Sequence, residues 1–151
     1  MRTVVVVPTY QEAGNVERFV NEVRDAVPAA DVLVVDDASP DGTADLAESV
    51  GEARGQVTVL RRPGKQGLGV AYRAAFAWAL DHDYETVVQM DCDFSHDPAA
   101  IPELLAQIED GADCAVGSRY VSGGSTPNWP AWRRLLSRWG NRYTAALLRL
   151  H

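Results

Sequence analysis

Short runs of β-branched apolar residues alternate with longer stretches of helical spacing, and this alternation restricts the fold more than any other feature of the sequence. Strand patterns occupy residues 3–7, 32–36, 57–60, 86–90 and 114–117. Helical patterns occupy residues 16–27, 43–50, 68–80 and 99–108. Apolar strands joined by helices are typical of a parallel sheet whose two faces are both covered. The sequence therefore predicts an α/β fold, with a mostly parallel sheet and helices on both faces.

Polar clusters follow each of the five predicted strands. They occupy residues 8–12, 36–43, 65–69, 91–96 and 117–120. Ligands of open parallel sheets bind beyond the carboxyl ends of the strands. We therefore expect all five clusters to contribute to one site at the same edge of the sheet.

Asp91 and Asp93 come directly after the apolar run of residues 86–90. An unpaired carboxylate is costly to bury, and alternate residues of an extended segment point to the same side. Carboxylate oxygens beside phosphates suit Mg²⁺ or Mn²⁺. The pattern favours a divalent metal site over the alternative of two surface carboxylates at the end of a strand.

The cluster after the second strand has both a binding and a structural interpretation. Asp36 or Asp37 is suited to accept hydrogen bonds from a base or a ribose. For Ser39, Asp41 and Thr43 the sequence favours turn and helix-cap chemistry alone.

Three further residues have alternative interpretations. Lys65 lies in a glycine-containing segment that lacks P-loop spacing, so it either reaches a phosphate or simply occupies a turn. Arg119 either stabilises anionic oxygens or forms a salt bridge with one of the acids. Cys92 is interpreted as a small residue that lets a ligand approach closely, because no activating histidine pair lies nearby.

Charge is distributed unevenly along the 151 residues. All 21 acidic residues and eight of the 14 basic ones lie in residues 1–113, whereas residues 114–151 contain six arginines and no acid. An apolar stripe with helical spacing runs through residues 131–150. Two interpretations stay open: the stripe packs against the sheet, or it lies near an anionic lipid surface.

No apolar run approaches the roughly 20 residues that span a bilayer. The strand pattern begins at Thr3, so we expect no signal peptide. We also expect reduced thiols at Cys92 and Cys114 rather than a disulfide, as in cytosolic proteins.

The ordered motifs resemble a known family. They are PTYQE at residues 8–12, DDASPDGT at 36–43, KQGLGVAY at 65–72, DCDFSHDP at 91–98 and GSRY at 117–120. These motifs, with Trp129, Pro130, Trp132 and Arg133 further on, resemble the inverting GT-A glycosyltransferases and, among them, the dolichyl- or polyprenyl-phosphate mannosyltransferases.

The resemblance implies a GT-A, Rossmann-like fold. Residues 1–120 would form the nucleotide-sugar-binding core, and residues 121–151 an acceptor loop and a basic amphipathic helix in a domain truncated at its C-terminus. The implied reaction moves mannose from GDP-mannose to the phosphate of a polyprenol, with inversion and with Mg²⁺ or Mn²⁺. The alternatives are hexosyl transfer from a UDP-sugar to the same lipid and a truncated, non-catalytic nucleotide-binding module.

Together with the residue chemistry, the resemblance assigns roles to individual positions. The expected nucleotide-sugar-binding residues are Pro8, Tyr10, Glu12, Val35, Asp37, Lys65, Asp91, Cys92, Asp93, Arg119 and Arg133. The expected metal ligands are Asp91, Asp93 and Ser95, and the expected catalytic residues are Asp93 and Arg119. The implied partners are GDP-mannose, a polyprenyl or dolichyl phosphate, the cytoplasmic face of a membrane and a membrane-anchoring protein, with no nucleic acid.

Elementary chemistry agrees with that reaction. A sugar that leaves a nucleoside diphosphate needs its leaving charge neutralised, which a metal does as a Lewis acid. A phosphate monoester has a second pKa of about 6 and is already largely anionic at neutral pH. The acceptor then needs no general base, but it needs arginines that bring one anion up to another.

Overall fold

The computed structural model describes residues 1–118, 120 and 130–148. In chain order, the strands are β1 (Thr3–Thr9), β2 (Asp31–Asp36), β3 (Val57–Arg61) and β4 (Thr86–Gln89). The helices are α1 (Val16–Ala26), α2 (Thr43–Arg54), α3 (Leu68–Asp81), α4 (Ile101–Glu109) and α5 (Ala131–Leu148), and one 3₁₀ turn (Pro98–Ala100) precedes α4.

The four strands form one parallel sheet in the order β3-β2-β1-β4. β1 lies in the interior of the sheet, where Val4 pairs with Asp31 of β2 and with Val87 of β4. Since all strands run in the same direction, their carboxyl ends meet at one edge. The loops that carry the predicted polar clusters after β1, β2, β3 and β4 therefore start from that edge.

Helices cover both faces of the sheet. On one face, the buried side chains of α1, including Phe19 and Val23, pack with Val5 and Val34. On the other face, α3 presents Ala71, Ala75 and Ala79 to Val4, Val6, Leu33 and Val35. Small residues at four-residue spacing let α3 lie close to the strands. The predicted parallel α/β architecture is confirmed.

The prediction of a fifth strand is wrong. Residues 114–117 form no strand, and they do not extend the sheet beyond β4. Val116 is 80% exposed. A segment with only two apolar residues besides its cysteine buries too little surface to offset the ordering of an additional strand. Cys114 is accordingly exposed, Cys92 is buried, and the two form no disulfide in this structure.

Contacts divide the chain into two units, residues 1–115 and residues 116–151. The predicted boundary between residues 120 and 121 stays a prediction. In the second unit, α5 extends to Leu148, and residues 149–151 lie outside the described part of the chain. Large apolar side chains of α5 are exposed, from 57% for Tyr143 to 71% for Leu135. Within the second unit, the described residues leave this apolar stripe uncovered.

Phe19 offers a test of the core beneath the site. Its side chain is fully buried and meets the ring of Phe94 edge to face, with ring centroids 5.4 Å apart. Phe19→Ala should lower the free energy of unfolding by about 3–5 kcal/mol, because it leaves a cavity and removes this contact. Urea denaturation measures the change. Leu80→Ala serves as the control, because Leu80 is 74% exposed; equal losses in the two variants would contradict this packing.

Candidate functional site

A pocket of about 270 Å³ lies at the carboxyl edge of the sheet. Its lining residues are Pro8, Thr9, Tyr10, Glu12, Asp37, Lys65, Gly67, Leu68, Ala71, Asp91, Cys92 and Asp93. They come from the last residues of β1, from the loops after all four strands and from the start of α3. The structure thus brings together eight of the residues expected from the sequence, which are Pro8, Tyr10, Glu12, Asp37, Lys65, Asp91, Cys92 and Asp93.

Among the described residues of the first unit, two expected residues do not line this pocket. Val35 is fully buried in the core between the sheet and α3. Ser95 is exposed and contacts Asp93. Arg133 lies on α5 in the second unit, and Arg119 lies outside the described residues.

The loop after β1 is held by side chains of the loop after β2. The N–H groups of residues 11, 12 and 13 donate to the side-chain oxygens of Ser39, Thr43 and Asp41 at 3.0, 2.9 and 3.1 Å. Hydrogen bonds also lower the pKa of the Asp41 carboxyl, and the one from the Thr43 hydroxyl has the largest effect. The role of these three residues is structural, as expected, but the N-cap of α2 is Gly42 and their side chains clamp the neighbouring loop.

The structure separates the roles of Asp36 and Asp37. Asp36 is 1% exposed and accepts hydrogen bonds from the hydroxyls of Thr9 and Ser39 at 2.9 and 2.6 Å. Its other oxygen accepts from the Ser39 N–H at 2.8 Å. Asp36 therefore ties the loops together, and Asp37 is the acid of this pair that lines the pocket.

Asp37 pairs with Arg62, a residue that the sequence did not single out. Arg62 Nη1 lies 2.5 Å from Asp37 Oδ1, and the two side chains are 8% and 7% exposed. Its neighbour Arg61 pairs instead with Asp45 and Glu48 at the surface. The signal in the sequence was a pair of arginines at the end of β3, but the spacing alone did not say which one turns towards the site.

Lys65 is the one basic residue among the described residues that line the pocket. Its Nζ lies 4.1 Å from the centroid of the Tyr10 ring, a cation–π contact between two loops. Four carboxylates line the same pocket, those of Glu12, Asp37, Asp91 and Asp93. The pocket is therefore strongly acidic and suited to a cation.

The Asp91–Asp93 segment is held by hydrogen bonds to both carboxylates. Tyr72 of α3 donates from its hydroxyl to Asp91 Oδ1 at 3.2 Å, and burial, with the Asp91 charge, raises the pKa of Tyr72 so that it stays a donor. The Ser95 hydroxyl and the Ser95 N–H, which lies 2.8 Å from Asp93 Oδ1, lower the pKa of Asp93. Asp93 is therefore ionised at neutral pH.

Cys92 lies between the two acids and is buried. The pKa of its thiol is raised to about 12, mainly by burial and to a smaller extent by the negative charges of Glu12 and Asp93. A thiol in this state is a poor nucleophile. Its interpretation as a small residue beside the ligand, rather than a reactive one, agrees with this environment.

Loops at the carboxyl edge hold three non-glycine residues at positive φ. These are Gln11, Ala38 and Phe94, with φ values of 61°, 56° and 56°. Such conformations cost on the order of 1–2 kcal/mol each and persist only where surrounding contacts fix them. For Phe94 the contacts are the Phe19 ring and the guanidinium of Arg18, 4.5 Å from the Phe94 ring centroid. The turn between Asp93 and Ser95 is thereby anchored to α1.

The oxygen donors of the pocket fit a hard divalent cation. Within residues 1–118, 120 and 130–148, no group of three or more His, Cys, Asp and Glu side chains is arranged to hold a metal ion. Mg²⁺ is commonly bound by one or two carboxylates, with substrate phosphates and water completing the shell. Asp91 and Asp93 meet that requirement, and the remaining ligands would come from a bound phosphate compound.

Thr43 tests the clamp between the two loops. Thr43→Val removes the acceptor of the Glu12 N–H, so we expect a loss of about 1–3 kcal/mol in the free energy of unfolding. We also expect faster hydrogen exchange of the Glu12 amide. Urea denaturation and amide exchange measure these effects. Thr58→Val, at an exposed position of β3, is the matched control. Unchanged protection of the Glu12 amide would show that the clamp has no role.

Curated proteins of similar sequence cover nearly the whole chain. The polyprenol monophosphomannose synthase of Mycolicibacterium smegmatis is 48% identical over 149 residues, which are 97% of this chain and 56% of that protein. The undecaprenyl-phosphate mannosyltransferase of Micrococcus luteus is 45% identical over 151 residues, 100% of this chain and 62% of that protein. The chain thus spans about three fifths of the length of these relatives.

Solved structures share the fold. A mannosyltransferase from Pyrobaculum calidifontis, in complex with GDP-Man and Mn²⁺, is 31% identical with a TM-score of 0.54, over 61% of this chain and 27% of that one. TarS residues 1–349 from S. aureus, in complex with UDP-GlcNAc, has a TM-score of 0.61 over 73% of this chain and 32% of that one. At 24% identity the second likeness shows the fold alone.

The family model described as glycosyl transferase family 2 matches residues 4–150. The Rossmann-like glycosyltransferase fold and the resemblance to polyprenyl-phosphate mannosyltransferases, both predicted from the motifs, are confirmed by these relatives. The chain belongs to glycosyl transferase family 2.

Proposed function

We propose that this chain provides the donor site of an enzyme that moves mannose from GDP-mannose to the phosphate of a polyprenyl, dolichyl-type lipid. The observation that carries the proposal is the acidic pocket at the carboxyl edge, where Asp91 and Asp93 lie beside Lys65 and Tyr10. The names of the relatives from M. smegmatis and M. luteus support the lipid acceptor and the mannosyl group. The GDP-Man of the P. calidifontis structure supports the donor.

Asp91 and Asp93 would hold Mg²⁺ or Mn²⁺ against the donor diphosphate. When bound, the ion neutralises charge on the departing nucleoside diphosphate. In this proposal Ser95 acts through Asp93, which it keeps ionised and oriented, rather than as a third ligand. Tyr72 orients Asp91 through a hydrogen bond from its hydroxyl.

The remaining pocket residues would bind the nucleotide. Pro8, Tyr10 and Glu12 lie at or just after the end of β1 and line the pocket. Asp37 follows β2, the strand that pairs with β1. Lys65 would contact a phosphate oxygen from its position over the Tyr10 ring. The loop clamp described above would keep Glu12 in place before the ligand arrives.

The acceptor supplies its own nucleophile in this mechanism. Its phosphate is anionic at neutral pH, so no side chain has to remove a proton. In-line attack of a phosphate oxygen on the anomeric carbon, with departure of GDP from the opposite side, inverts that carbon. Arg119 and Arg133 are proposed to meet the diphosphate or the acceptor phosphate, with Arg119 acting in catalysis beside Asp93.

We also propose peripheral association with a membrane through α5. Its described residues contain four arginines and no acid, and apolar side chains including Trp132 and Trp139 are more than 60% exposed. No helix among the described residues has the length and apolar character needed to cross a bilayer. A helix of this kind suits the interface of an anionic leaflet, where each arginine contributes about 1 kcal/mol. A site on the cytoplasmic face and an anchoring partner protein belong to the same proposal.

Transfer of labelled mannose from GDP-mannose to a polyprenyl phosphate tests the proposed activity. We expect a lipid-soluble product that forms with Mn²⁺ or Mg²⁺ and is lost on chelation. Preferential use of a UDP-sugar would move the assignment to another hexose. Metal-dependent GDP binding without transfer would support a nucleotide-binding module instead.

Asp93→Asn should lower the rate of transfer by about a hundredfold or more, because it removes a charged ligand of the ion that stabilises the leaving group. The fold should persist, since Asp93 is exposed. Steady-state kinetics and circular dichroism measure the two effects. Asp97→Asn is the matched control, because Asp97 does not line the described pocket and its side chain accepts from the Ala99 N–H at the start of the 3₁₀ turn. A near-normal rate of transfer in Asp93→Asn would contradict the role of Asp93 as a metal ligand.

Binding to vesicles tests the α5 surface. We expect stronger binding to vesicles with anionic lipid than to neutral ones, and weakening by salt. Replacement of both Arg134 and Arg142 by Gln should weaken binding by about tenfold or more. Arg73→Gln, at an exposed position of α3, is the control for loss of a positive charge outside α5, and Arg134→Gln alone is the variant matched to it in charge. Cosedimentation measures the fraction of protein bound to the vesicles. Equal binding to neutral and anionic vesicles would contradict the proposal.

A further inference from the structure

The ring of Phe94 has surroundings that the proposed metal and phosphate chemistry does not use. Phe94 comes directly after Asp93 and does not line the pocket. Its ring is partly buried and packs against the core between the sheet and α1. There it meets the fully buried Phe19 ring edge to face at 5.4 Å, and the guanidinium of Arg18 lies 4.5 Å from its centroid. A side chain outside the pocket is thus held by two neighbouring residues of one helix.

The backbone of Phe94 has a conformation that phenylalanine seldom adopts. Its φ of 56° lies in the left-handed region, which glycine tolerates and a residue with a Cβ disfavours. Directly after it, the Ser95 N–H donates to Asp93 Oδ1 at 2.8 Å, a hydrogen bond that closes a turn around residue 94. Return of residue 94 to a right-handed or extended conformation would turn this N–H away from the carboxylate. The backbone conformation of Phe94 therefore controls the orientation of Asp93.

The contact of Phe94 with α1 also connects two walls of the pocket. α1 begins at Val16, and the N–H groups of Asn15 and Val16 both donate to the Glu12 carbonyl at 2.9 Å. Glu12 lines the pocket from the loop after β1, whereas Asp93 lines it from the loop after β4. Phe94 therefore holds Asp93 to the same helix whose first turn is bonded to Glu12.

We propose that Phe94, held by Phe19 and Arg18, is a positioning residue that keeps the Asp93 carboxylate oriented for a divalent cation. This inference rests on the proposed function and deepens it, because it extends the cation site to Arg18, whose side chain is 73% exposed on α1. Phe94 itself touches neither the cation nor the substrate. Without its anchor, residue 94 leaves the left-handed region, and Asp93 has to be reoriented each time the ion binds. That ordering cost weakens binding of the ion.

Binding of Mn²⁺ to Arg18→Gln in the presence of GDP, measured by electron paramagnetic resonance, tests the proposal. We expect the Kd for Mn²⁺ to rise by about twofold to fivefold, the value of an exposed cation–π contact. The direction separates positioning from electrostatics, because removal of a positive charge near an acidic pocket would by itself leave this Kd unchanged or lower it. Arg54→Gln is the matched control. It removes the same charge and an exposed ion pair with Asp25, and its Kd should not rise.

Two substitutions of Phe94 separate the ring from the backbone. Phe94→Ala and Phe94→Gly both remove the contacts with α1, but glycine reaches left-handed conformations without the steric cost that alanine meets. We expect the Kd for Mn²⁺ to rise by about tenfold in Phe94→Ala, equivalent to about 1.4 kcal/mol, and by less in Phe94→Gly. A role in packing alone predicts no smaller effect for glycine, which removes more of the side chain. Hydrogen exchange of the Ser95 amide, without metal or nucleotide, should be faster in Arg18→Gln and in Phe94→Ala.

Two results would overturn the proposal. One is a Kd for Mn²⁺ in Arg18→Gln that equals the wild-type value or lies below it. The other is exchange of the Ser95 amide that is unchanged in Arg18→Gln. Both rest on an exposed position, so they stand even where a substitution of Phe94 fails to fold. Mannose transfer by wild type in either case would leave the proposed function standing, whereas wild type that binds no Mn²⁺ in the presence of GDP would end both.

Discussion

Repulsion among four carboxylates around one pocket is the constraint on which the rest of the site depends. Each carboxylate is stabilised by a separate neighbour: Asp37 by Arg62, Asp91 by Tyr72, Asp93 by Ser95, and Glu12 by the Asn15 amide at 2.8 Å. Among the described residues, Arg62 pairs with Asp37, and Lys65 lines the same pocket from its position over the Tyr10 ring. Two negative charges are left over, and a bound divalent ion would balance them. A diphosphate would add charge of the same sign, so in the proposed function the ion binds together with it and positive groups approach from outside the acidic wall.

The sheet makes this arrangement possible because β1 lies in its interior, paired with β2 from Val4 to Thr9 and with β4 from Thr3 to Val6. Its loop, residues 10–13, is held by three side chains from the neighbouring loop, and these bonds need the registered pairing of Thr9 with Asp36. Residues at positive φ are fixed in the same loops by those contacts and by the packing of Phe94 on α1. The pocket is therefore formed before a ligand binds, and ordering costs at binding are small.

Strands and helices of the first unit were predictable from the sequence because their apolar spacing is local. The bounds of α1 and β2 differ from the prediction by one residue. The prediction of a strand at residues 114–117 was wrong because a strand also needs a neighbouring strand to pair with, and apolar spacing does not reveal one. The edge of the sheet that holds the site followed from topology alone. Topology did not predict that Asp37 rather than Asp36 lines the pocket, and it did not predict the contacts of Arg62 and Tyr72. These features arise from contacts between residues 19 to 27 positions apart in the sequence. The stripe on α5 left two interpretations open because a buried helix and an interfacial one share the same period.

The central claim is that Asp91 and Asp93 form half of a metal site and that a nucleoside diphosphate provides the other half. Titration of Mn²⁺ binding by electron paramagnetic resonance, with and without GDP, tests this most directly. Two carboxylates alone should bind the ion weakly, and GDP should tighten Mn²⁺ binding by the same factor by which Mn²⁺ tightens GDP binding. Mn²⁺ affinity that is unchanged by GDP would contradict the claim.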